Sequence, residues 1–179
     1  MKAKGSIKNH IGAIIALVCA CIIVLIDQVS KNLIVTNLQQ EGNSVTVING
    51  LLNFTLSYND GMAFGLGSSV FRWVFVGIMI IVGAFLMYLM FNPKYSSPLF
   101  LAASALVIGG GIGNAIDRVI NGYVVDFLAL SFFPPICNIA DYAITIGTAL
   151  LLIYVVFVYG KNDKKQVNEP IEFVADENE

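Results

Sequence analysis

Four long apolar runs separated by short polar stretches dominate the chain, covering Ile11 to Ile26, Val70 to Phe91, Pro98 to Ile116 and Ile136 to Tyr159. A helix crosses the hydrocarbon core of a bilayer in roughly 20 apolar residues, so the pattern predicts four transmembrane helices. Polar and helix-breaking residues mark their ends. Asp27 and Lys31 end the first run, Asn92-Pro93-Lys94 breaks the second, Asn121-Gly122 follows the third, and Pro134-Pro135 keeps the loop before the fourth free of helix. Between the first two runs, residues 39–67 change period. Phe54, Leu56 and Tyr58 alternate with Asn53, Thr55 and Ser57, and Asn49-Gly50 separates this stretch from Val45-Thr-Val-Ile48. Such alternation around Asn-Gly predicts a β-hairpin with a type I′ turn. Tyr58 to Phe64 then reads as a turn in which Gly61 takes positive φ and Phe64 dips into the interface.

Composition agrees with a membrane protein: 57% of the 179 residues are hydrophobic and 12% charged, against roughly 25% charged in soluble domains. Net charge is −2 and the basic residues are scattered, which excludes a nucleic-acid partner. Lys2, Lys4 and Lys8 before an apolar run, with Val18-Cys19-Ala20-Cys21 inside it, superficially resemble a signal peptide with a lipobox. The apolar run continues to Ile26 and three more follow, so an uncleaved first transmembrane helix is the better reading. Cys19 and Cys21 read as small core hydrophobes. Cys137 lacks a nearby base, since the sole histidine is His10.

Lys2, Lys4, Lys8, Lys94, Lys161, Lys164 and Lys165 fall on one side of the predicted spans, and Lys31, Arg72 and Arg118 on the other. The positive-inside rule then puts both termini in the cytoplasm, and the hairpin and aspartates toward the outer face, with Arg72 and Trp73 at the interface. The expected domain is residues 1–160, with 39–67 as an extracytoplasmic hairpin region. Residues 161–179 are expected to be a charged, disordered cytoplasmic tail.

Chemistry concentrates between Gly109 and Asp141. Ionisable residues beside membrane segments are costly, and their default reading is functional. Asn138 follows two prolines and precedes Asp141 by three, so Asn138 suits an N-cap with Asp141 at N3; Asp141 is then either a cap or a catalytic acid. Asp126 lies in Val124-Val125-Asp126-Phe127-Leu128, which fits either a carboxyl of raised pKa or a solvated loop acid. Asp117 adjoins Arg118, and a charge pair is the preferred reading. Asp27 and Lys31 share a helix face at i,i+4, as a structural ion pair or as substrate contacts. Gly109 and Gly113 form a small-xxx-small pair for helix packing. Two carboxylates in a dry site share one proton, which allows one to act as base and the other as acid toward water and a peptide carbonyl. No His/Cys/carboxylate cluster has metal-ligand spacing, so neither metal nor cofactor is expected.

Asp27-Gln28-Val-Ser-Lys31, Tyr58-Asn59-Asp-Gly61-Met-Ala63-Phe64, Gly113-Asn114-Ala-Ile-Asp117-Arg118, Val125-Asp126-Phe127 and Asn138-Ile-Ala140-Asp141, in this order, resemble the signature blocks of the lipoprotein signal peptidase (signal peptidase II) family. The resemblance implies an all-α membrane protein of four transmembrane helices with a small extracytoplasmic β-sheet, a β-cradle. It implies an aspartyl endopeptidase of the bacterial cytoplasmic membrane that cuts prolipoproteins before the diacylglyceryl-modified cysteine. The catalytic pair falls on Asp126 and Asp141, with Asp27, Lys31, Asn59, Gly61, Asn114, Asp117, Arg118, Asn138 and Ala140 in binding or supporting positions. The expected partners are lipidated prolipoproteins and membrane lipids, and the chain is expected to be a monomer. Asp60 and Met62 stand where smaller or neutral residues fit the family pattern, and the tail after Lys165 matches no block. An ion-coupled transporter would show an internal hydropathy repeat, which is absent, and a membrane scaffold would need neither Asp126 nor Asp141.

Overall fold

The first helix is much longer than its apolar run. In a computed structural model describing residues 2–61, 68–95 and 97–159, α1 extends over Lys2–Leu38. At 1.5 Å per residue that is roughly 55 Å, well beyond a hydrocarbon core of roughly 30 Å. Asp27 and Lys31 therefore lie inside the helix, not at its end as expected. The residues after them mix polar and apolar positions without a helix breaker, and Ile34, Val35 and Leu38 gain apolar partners by continuing onto the sheet. Along the buried seam of α1 come Ala13, Ala16, Ala20, Asp27, Lys31 and Ile34. Small residues let a neighbouring backbone approach, and the seam turns charged where the site begins. Cys19 and Cys21 flank this seam and are exposed on the outer surface of the bundle, so they are not core residues.

Three more helices complete the bundle: α2 (Ser68–Met90), α3 (Pro98–Ile120) and α4 (Ile139–Ile153), the last continued by a wider helical turn over Tyr154–Tyr159. Among the described residues, four segments are long and apolar enough to cross a membrane, His10–Leu38, Arg72–Met90, Pro98–Ile120 and Ile139–Tyr159. Helix α3 is the central one, packing on α1, α2 and α4. Its glycines explain how. A Cβ on Gly109 would lie 2.8 Å from the Ala20 carbonyl oxygen on α1, and one on Gly110 would lie 2.5 Å from the Ala140 carbonyl oxygen on α4. Helix-packing glycines in this run were expected, but the set is wider than the pair Gly109 and Gly113.

The sheet is four-stranded and antiparallel in the order β1 (Ser44–Ile48), β2 (Leu52–Asn59), β3 (Val124–Leu130) and β4 (Phe133–Cys137). The expected hairpin is β1–β2, but its turn is not type I′: that turn needs positive φ at both central residues, and here Gly50 (φ 72°) has it while Asn49 does not. Strand β4 was unexpected, because it contains Pro134 and Pro135. An edge strand tolerates them, since one side of it has no ladder to donate to. Leu56, Val125 and Phe127 form a second core under the end of α1, with Phe54 edge-on to Phe127 at 5.7 Å. The expectations for Met62, Ala63 and Phe64 and for the tail 161–179 fall outside the described residues.

Candidate active site

Each carboxylate is positioned by an element of its own. Asp126 projects from β3, where Asp126 pairs in register with Ser57 of β2. Asp141 sits in the first turn of α4, at N3 of a full capping box. The Asn138 side chain accepts from the Asp141 N–H at 2.9 Å, and the Asp141 carboxylate accepts from the Asn138 N–H at 3.0 Å. Capping and a place in the site are thus not alternatives for Asp141. Asn138 also joins the two acids: its Nδ2 donates to Asp126 Oδ1 at 2.6 Å. The second oxygen of each acid has its own amide donor, Asn59 Nδ2 to Asp126 Oδ2 at 3.0 Å and Asn114 Nδ2 to Asp141 Oδ1 at 2.7 Å.

The two carboxyls differ in environment. Asp126 is 3% exposed, whereas Asp141 is half-buried. Burial pushes the Asp126 carboxyl up to about 6 from 3.8, and the charge of Asp141 adds to the rise, against the hydrogen bonds from Asn59 and Asn138 and the charge of Lys31. This supports the raised-pKa reading of Asp126 over that of a solvated loop acid. Cys137, at the end of β4, has its thiol pushed up by burial and by both aspartates, the opposite of what a nucleophile needs.

Beneath the acids lies a charged layer. Lys31 Nζ is 2.8 Å from Asp27 Oδ2 and 2.9 Å from Asp117 Oδ2, and donates to Asn114 Oδ1 at 3.0 Å. The expected Asp27–Lys31 pair is present. Asp117, however, pairs with Lys31 and not with Arg118, because successive residues on a helix do not face each other. Arg118 instead donates from Nη1 to the Asn114 carbonyl at 3.2 Å, with its guanidinium 5.0 Å from the centre of the Phe75 ring. Gly61 takes positive φ (76°) as expected, and its N–H donates to Asn59 Oδ1 at 3.0 Å, which fixes the amide that holds Asp126. Ala140 is fully buried and donates its N–H to Asp27 Oδ1. Every residue expected at the site is thus in one network. Sequence reasoning missed Gln28, whose Nε2 bonds the Gly113 carbonyl at 3.1 Å and Asp117 Oδ1 at 3.0 Å. Its signal was available: Gln28 stands beside Asp27 in the first block. An apolar cleft of about 900 Å³ opens between α2 and α3, and none of these polar residues lines it.

Fold and site together define a polytopic membrane protein with a pair of carboxyls held by asparagines at the junction of a helix bundle and a small sheet. Comparison with known proteins narrows the class. The family model described as Signal peptidase (SPase) II matches residues 19–157. The lipoprotein signal peptidase of Lactobacillus johnsonii is 44% identical over 147 residues, 82% of this chain and 94% of that protein. That of Lactobacillus gasseri is 45% identical over 150 residues, 83% of this chain and 96% of that protein. A bacterial membrane enzyme solved at 1.9 Å by the in meso method superposes with a TM-score of 0.72 at 35% identity, covering 80% of this chain and 93% of its own. The chain belongs to the signal peptidase II family, peptidases of the aspartic type.

Proposed function

We propose that Asp126 and Asp141 are the catalytic dyad with which this chain removes signal peptides from prolipoproteins, cutting before the diacylglyceryl-modified cysteine. The observation that carries the assignment is Asn138, which hydrogen-bonds both carboxylates at once, from Nδ2 to Asp126 and from its backbone N–H to Asp141. Water enters between the acids. Asp141, at the positive end of the α4 dipole, takes a proton from that water as it attacks the scissile carbonyl carbon. Asp126, protonated up to about pH 6, donates its proton to the carbonyl oxygen. Collapse of the tetrahedral intermediate breaks the C–N bond: the proton now on Asp141 goes to the leaving nitrogen, and a hydroxyl of the intermediate returns its proton to Asp126 as the new carboxyl C=O forms, which restores the pair. Asn59, Asn114 and Asn138 keep the carboxylates in place through this cycle.

The positive-inside pattern supports a membrane orientation with both termini cytoplasmic and the dyad toward the outer face, where an exported lipidated precursor presents its cleavage site. Membrane lipids are its surroundings, and we take the working unit to be the monomer. The test is made in a bacterium depleted of this protein. Lipidated, uncleaved prolipoprotein accumulates and disappears on re-expression; normal processing after depletion would remove the proposal.

A further inference from the structure

Asp27, Lys31 and Asp117 have no step in this chemistry, yet all three are buried, at 0%, 3% and 2% exposure. Taking ions out of water is costly, and an ion cluster is often no more stable than apolar residues of the same volume, so stability alone is a weak reason for this one. Its hydrogen bonds suggest another. Asp27 Oδ1 accepts from the backbone N–H of Ala140 at 3.0 Å, and Asp117 Oδ2 accepts from the backbone N–H of Val125 at 3.0 Å. Ala140 immediately precedes Asp141, and Val125 immediately precedes Asp126. Each buried acid therefore grips the backbone one residue before one of the two catalytic carboxylates.

Lys31 connects the grips. Its ammonium has three donors, and they meet Asp27, Asp117 and Asn114. The third contact sets the orientation of an amide. Asn114 Oδ1 accepts from both Lys31 Nζ and Asn138 Nδ2, so the Asn114 side chain cannot flip without losing both bonds, and its Nδ2 stays directed at Asp141. We infer that Lys31, with Asp27 and Asp117, is a positioning clamp that sets the separation and orientation of the Asp126 and Asp141 carboxylates. The inference rests on those two acids being the dyad.

The test compares purified Lys31→Met with the charge-balanced Asp27→Asn/Lys31→Met, in which the amide oxygen introduced at position 27 still offers the Ala140 N–H an acceptor. Asp126→Asn is assayed in parallel. A misplacement of about 1 Å costs on the order of 100-fold, so kcat falls by about that factor in both variants. KM stays within about threefold, because no substrate contact is removed. The pH profile adds a readout that loss of fold would not move. Asp126 faces Asp141 from α4, Cys137 from β4, Lys31 from α1 and Arg118 from α3, and Lys31 lowers its pKa. Lys31→Met therefore moves the alkaline limb of kcat/KM to higher pH. Wild-type kcat in a folded Lys31→Met overturns the clamp, as does a loss confined to KM, which would make Lys31 a substrate contact. Failure of both variants to fold also overturns it, leaving the cluster a folding role only. If Asp126→Asn retains turnover, the dyad assignment fails whatever Lys31 does.

Discussion

Replacing Asp126 by Asn should slow cleavage and, at neutral pH, relieve a cost that the folded protein carries. The Asp126 carboxyl is raised from 3.8 to about 6. A carboxyl whose folded pKa is above its unfolded value binds more protons in the native state between those values, so stability falls as pH rises through that window. The difference of about 2 units corresponds to about 3 kcal/mol once the group is fully ionised, and no large discount for solvent screening applies at 3% exposure. Asparagine does not ionise, but its NH2 must face an amide donor from Asn59 or Asn138, both held by other bonds, at a cost of about 1–3 kcal/mol. That cost does not depend on pH, so the pH dependence isolates the ionisation. Between pH 4 and pH 7 the stability of Asp126→Asn relative to wild type should rise by about 2 kcal/mol. In thermal melts of detergent-solubilised protein this is about 4–8 °C of Tm. Parallel melting curves at the two pH values, with a constant difference, would refute a carboxyl buried at high pKa.

Four further outcomes follow. Cleavage by wild type should give a bell-shaped kcat/KM profile with two apparent pKa values belonging to the pair, the upper near 6; a flat profile with chemistry rate-limiting contradicts proton sharing. Asp117→Asn should lower Tm yet keep measurable turnover, since its amide oxygen can still accept from Val125; full stability with no turnover would move the dyad to Asp117 and Asp141. Gly110→Ala places a Cβ 2.5 Å from the Ala140 carbonyl oxygen, so it should cost about 1–3 kcal/mol and reduce kcat by shifting the start of α4, both read on purified protein. Cleavage should persist in EDTA, and its loss there, restored by a divalent ion, would call for a metal.

Much of the fold was legible because the bilayer imposes simple rules: apolar length gave the spans, and Asn138 after two prolines marked the start of α4. The site acids were legible because ionisable residues are rare in such sequence. What stayed hidden depended on contacts distant in the chain. Helix α1 outlasts its apolar run because its last turns cover Leu56 and Phe127, partners that local pattern does not reveal. Strand β4 is concealed by prolines that only an edge position permits. Adjacency in the chain predicts an Asp117–Arg118 pair, whereas the cation beside Asp117 is Lys31 of α1. Local propensity says nothing about which helices a charge will meet.

The central claim, that Asp126 and Asp141 perform the chemistry together, is tested most directly with Asp126→Asn, Asp141→Asn and the double variant, purified in detergent with a lipidated prolipoprotein. Near-isosteric replacements leave folding and substrate binding intact while each single change removes the function of the pair. Each single variant should therefore bind substrate as wild type does and cleave it slower by on the order of 1,000-fold or more, with the double variant little worse than either. Turnover within about tenfold of wild type in either folded single variant, or losses that multiply in the double, would contradict a cooperating dyad.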